Sequence, residues 1–145
     1  EPAGTARFKT RFIVYRPNDA TRFNGSVVVT WNNVTAGYDL FGAESREIFE
    51  GGFVLVCATT KNVGIEGLPP VNQGLAGWDP ERYGDLHIAS DDYSYDILTQ
   101  VRWQSAPIVR ATMILSRASM SAMLSFREHR SLLVGWERMS MLLHP

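Results

Sequence analysis

The sequence predicts an α/β fold built around a parallel sheet, and three observations carry that prediction. Two continuous, β-branched apolar runs, Ser26-Val27-Val28-Val29-Thr30-Trp31 and Phe53-Val54-Leu55-Val56-Cys57-Ala58-Thr59, have the pattern of strands buried on both faces. Residues Phe41 to Phe49, between the two runs, carry helix-compatible polarity and stop at Gly51-Gly52. A helix joining two such strands is a βαβ unit, in which the strands lie parallel. With 145 residues and 45% hydrophobic content, the chain has enough apolar material for one core.

The remaining elements follow in chain order. Phe12-Ile13-Val14-Tyr15 is β-branched and aromatic, and Arg16-Pro17-Asn18-Asp19 closes it with turn chemistry. Asn24-Gly25 is a turn signal leading into the first buried run, which ends in a polar loop from Asn32 to Gly37. Residues 61–90 read as a long loop rich in Gly and Pro. Such loops serve a site or are disordered, and the aromatics Trp78 and Tyr83 argue against disorder. Asp91-Asp92 supplies an N-cap and first-turn acids for a helix from about Tyr93 to Val101.

Several function classes are disfavoured by composition. The net charge is −1, and the six arginines after residue 100 are scattered, so nucleic acid is not an expected partner. Cys57 is the single cysteine, which excludes an internal disulfide, and its apolar strand makes it a packed thiol rather than a nucleophile. No apolar run approaches the roughly 18 residues of a membrane span. Asp91, Asp92 and Asp96 sit where a helix start favours acids anyway, and His87 has no Cys or His at ligand spacing, so neither a metal nor another cofactor is expected. The opening Glu1 reads as a fragment or a processed form, cytoplasmic or exported after loss of a signal peptide.

Composition breaks sharply near Gln100. All five methionines lie beyond it, in a segment with no Asp, Asn, Tyr or Lys, whereas eleven of twelve glycines precede it. The formal charge is −5 over residues 1–100 and +4 over 101–145. Residues 1–100 are therefore read as one unit and 101–145 as an atypical Arg/Ser/Met-rich tail.

Three segments of the first unit carry a resemblance. They are Tyr15-Arg16-Pro17 with Phe23 to Gly37; Val63-Gly64-Ile65-Glu66-Gly67-Leu68; and Trp78-Asp79-Pro80-Glu81-Arg82-Tyr83-Gly84 running on to Asp92-Tyr93-Ser94-Tyr95-Asp96-Ile97. In order and spacing, about residues 7–100 resemble the N-terminal part of a bacterial α/β-hydrolase-domain family. Thr30 departs from the pattern, where family members usually carry Glu. The resemblance implies an incomplete α/β-hydrolase half-sheet, with Val27–Trp31 as the third strand and Phe53–Thr59 as the fourth. It also implies hydrolysis of a small-molecule ester-like substrate by a serine nucleophile. In that fold the loop after the third strand gives a backbone N–H to the oxyanion hole, which makes Asn32, Asn33 and Val34 the candidates here. The competing reading is that these asparagines only satisfy turn backbone. Trp78 and Tyr83 are candidates for a substrate-facing wall, against the alternative of a rigid loop whose tryptophan plugs the sheet edge.

The nucleophile itself is missing in frame. The resemblance calls for a G-x-S-Q-S-A turn some 35–45 residues after Tyr93-Ser94-Tyr95-Asp96. Gln104-Ser105-Ala106 echoes it, but comes too early and lacks the glycine and strand. One step out of frame, the tail behaves differently. Met and Trp have single codons, so Met113 into Ile114 must give Asp, Trp103 into Gln104 must give Ala, and Trp136 into Glu137 must give Gly. Arg127 through Leu133 permits G-A-S-Q-S-A if His129 is CAT and Ser131 is AGT, and Leu115 to Ala122 permits V-A-G-L-D-V-R. The expectation is a hydrolase-family chain cut off from its nucleophile by a frame change after Gln100, with no catalytic residue of its own. The alternative is a small non-catalytic α/β binding module with a helical, partner-binding tail, since Met120, Met123, Leu124 and Arg127 have helical spacing.

Overall fold

The computed structural model describes residues 5–120 and 132–142, with side chains through Pro107. Four strands form one sheet: β1 (Arg7–Pro17), β2 (Val27–Trp31), β3 (Val54–Ala58) and β4 (Leu132–Leu142), in the order β2-β3-β1-β4. β2 and β3 pair in parallel, Val27 opposite Val54 and Trp31 opposite Ala58, as the two apolar runs predict. The sheet as a whole is mixed, because β1 runs antiparallel to β3, with Phe12 opposite Ala58. The two runs also differ in burial. β3 is buried at all five positions, whereas β2 is half-buried throughout. The reason is placement: β3 lies between β2 and β1, while β2 is the last strand in the order among the described residues.

α1 (Arg46–Glu50) occupies the β2–β3 crossover, shorter and later than the expected 41–49. Ser45 sets its start by accepting the Ile48 N–H at 3.3 Å. Its end requires glycine. Gly52 has φ +76°, and a Cβ there would run into the Arg22 carbonyl.

Residues 61–90 are more regular than a loop reading allows. They contain α2 (Asn62–Glu66), α3 (Leu75–Trp78) and α4 (Pro80–Tyr83), each too short to show a periodicity. α4 nevertheless has a readable start, since Asp79 accepts the Arg82 N–H at 3.1 Å and Pro80 fills the first turn.

α5 spans Ser94–Met120 and passes through Pro107, well beyond the expected end at Val101. Ser90, rather than Asp91 or Asp92, caps the 3-10 turn that precedes it. The tail is not uniformly helical: residues 132–142 pair with β1 along its whole length, Arg7 opposite Leu142 and Pro17 opposite Leu132. β1 presents eleven residues of strand edge, and that template overrides local pattern. Met123, Leu124 and Arg127 lie outside the described residues.

The core gathers on one face of the sheet. Phe8, Phe12 and Val14 of β1 and Val54, Val56 and Ala58 of β3 meet Ile97 and Val101 of α5, and Ile65, Leu75 and Tyr83 close the cluster. Each fully buried Val, Leu or Phe is worth about 1.5–3 kcal/mol of transfer free energy. The opposite face carries Ile13 and Cys57, also buried, with Phe49 of α1 against Tyr15, ring centroids 5.7 Å apart. Among the described residues, no helix is long and apolar enough to cross a membrane.

Candidate functional site

The parallel strands β2 and β3 end on the same side of the sheet, the side where open α/β sheets bind ligands. Beyond β2 the chain turns back on itself. Asn33 and Leu40 exchange backbone hydrogen bonds, with Asn33 N–H to Leu40 O at 3.1 Å and Leu40 N–H to Asn33 O at 2.7 Å. Inside that loop Thr35 N–H donates to Asn33 Oδ1 at 2.7 Å, an Asx turn, and Gly37 N–H donates to Val34 O at 2.9 Å.

Asp39 pins the loop to the sheet. Its Oδ2 accepts from Asn32 Nδ2 at 3.0 Å, from Arg11 Nη2 at 3.2 Å and from the Thr59 hydroxyl. Thr10 donates its hydroxyl to the Thr59 carbonyl. The network thus joins β1, the end of β2, the end of β3 and the loop. It is deeply buried: the side chains of Arg11 and Asp39 are 7% and 1% exposed. The Arg11 guanidinium also lies over the Tyr83 ring at 5.3 Å and the Phe41 ring at 5.8 Å, contacts that favour a desolvated cation. Asp39 Oδ1 and Thr60 Oγ1 are buried without a hydrogen-bond partner among the described residues. Gly64 of α2 sits directly against Asp39 Oδ1, where a Cβ would clash.

The three oxyanion-loop candidates come out differently. Asn32 N–H is spent on Ala58 O at 2.9 Å and Asn33 N–H on Leu40 O. Their side chains serve Asp39 and the Asx turn. Val34 N–H makes no hydrogen bond among the described residues, and the residue is half-buried. Of the three, Val34 alone has a backbone donor to give.

The two wall candidates separate as well. Trp78 is 58% exposed and packs on Tyr38, ring centroids 5.5 Å apart, so it does not plug the sheet. Tyr83 is buried beneath Arg11 and faces the core. His87 is exposed, and its backbone bridges to Lys9. Asp91 accepts the Asn62 N–H at 2.8 Å and faces Lys61, while Asp92 accepts from Ser90 Oγ at 2.9 Å. Burial pushes the Cys57 thiol up to about 12, with Glu44 and Asp39 adding to the shift.

Gln104-Ser105-Ala106 lies within α5, and the buried Ser105 donates to Arg102 O at 2.7 Å. Ser94, also buried, donates to Asp91 O at 2.6 Å and Thr60 O at 3.1 Å. Among the described residues no serine hydroxyl bonds a histidine. The permitted serine at the His129–Arg130 junction falls outside them.

Sequence reasoning missed Arg11 and Asp39. Arg11 gave a signal, because an arginine in the middle of a buried strand needs a buried counter-ion. Nothing in the sequence says which of the acids supplies it.

The parallel strand pair and the loop pinned at its carboxyl end are an α/β arrangement. A family model described as an alpha/beta hydrolase domain matches residues 1–123, most of the chain, and the protein belongs to that family. The match runs past Gln100, where the composition changes. No curated protein and no solved structure matches the chain.

Proposed function

We propose that this chain carries the oxyanion side of a serine-hydrolase site of the ester-cleaving type without the catalytic triad, and that it is inactive as an esterase. The observation that carries the reading is the Val34 N–H. It is unbonded among the described residues, on a loop that Asp39 fixes at the carboxyl end of the parallel pair. An oxyanion hole needs such preplaced donors. Without an activated serine, a donor alone performs no acyl transfer, because a hydroxyl is a weak nucleophile without its base. Residues 1–100 carry the three family-like segments, residues 101–145 are the atypical tail, and the reading frame changes just after Gln100.

The test is labelling of the purified chain with a fluorophosphonate probe, followed by mass spectrometry. The expected result is no stoichiometric adduct and no turnover of short acyl esters above background. An adduct on any in-frame serine would overturn the reading.

The second reading, a non-catalytic binding module with a partner-binding tail, draws support from one feature. The backbone of 132–142 pairs with β1 over eleven residues, so the tail has a place in the sheet.

A further inference from the structure

We draw no further inference here: the strongest candidate, the apolar surface patch on the loop after β2, where Trp78 packs on Tyr38 and Leu68 lies against Gly37, carries nothing because nothing in the structure shows what covers it.

Discussion

Replacing Asp39 by alanine should be among the most damaging single changes available in this chain, and its cost can be worked from the network. The carboxylate is 1% exposed and its partner Arg11 is 7% exposed, so solvent screening does not dilute the pair. Removing one member of a buried ion pair costs about 3–5 kcal/mol, because the other charge loses its counter-ion while staying desolvated. Asn32 Nδ2 and the Thr59 hydroxyl lose their acceptor in the same step. Against a whole-domain stability of roughly 5–15 kcal/mol, a loss of this size is a large fraction. The assay is urea unfolding followed by tryptophan fluorescence at one fixed chain concentration, with Arg11→Met and the double variant completing a cycle. The double variant should lose less than the sum of the singles by about 2 kcal/mol or more, since it leaves no orphan charge. Hydrogen exchange at the Leu40 and Asn33 amides should speed up in Asp39→Ala. An Asp39→Ala cost below about 1 kcal/mol, or additivity within about 0.5 kcal/mol, would refute a pinned loop.

Two further outcomes follow from the same packing. Gly64→Ala should destabilise by about 1–3 kcal/mol through overpacking against Asp39 Oδ1, and the penalty should shrink in an Asp39→Ala background where that oxygen is gone; equal penalties in both backgrounds in urea unfolding would contradict the contact. The Cys57 thiol, raised from 9.0 to about 12 by burial first and by Glu44 and Asp39 second, keeps its proton in the folded state while the unfolded chain releases it. Stability from this group is therefore full below about pH 9 and falls between pH 9 and 12, with a limiting slope of about 1.4 kcal/mol per pH unit. Thiol titration with a disulfide reagent at pH 8 should show negligible reaction until denaturant is added; rapid native-state reaction would contradict it.

The legible parts of the fold were those in which sequence pattern and burial coincide. β3 lies between two neighbours, and its unbroken Val-Leu-Val-Cys-Ala run announces that. β2 carries an equally apolar run, yet is only half-buried. Apolarity marks a surface that can be buried, and the neighbours decide whether it is. α1 starts at Arg46, after its Ser45 cap, and Phe41 lies outside it near the Arg11 guanidinium. The short helices α2 to α4 carry too few residues for a period, although Asp79-Pro80 held a readable start signal. The site was legible only as a loop. That Val34 has an unspent N–H while Asn32 and Asn33 do not depends on which strand partner each amide meets, a property of the assembled sheet. Arg11 and Asp39 are 28 residues apart in the chain, and only folding brings them together.

The measurement that tests the account most directly is the sequence of the coding DNA from the codon for Gln100 through that for Leu133. A hydrolase-family chain parted from its nucleophile by a frame change predicts CAT for His129 and AGT for Ser131. It predicts a neighbouring frame that reads G-A-S-Q-S-A across Arg127 to Leu133, then continues open and supplies an acid and a histidine in that order. A stop codon soon after the shift, or a neighbouring frame without a glycine-flanked serine, would contradict the account and leave the non-catalytic binding module as the better description of the chain.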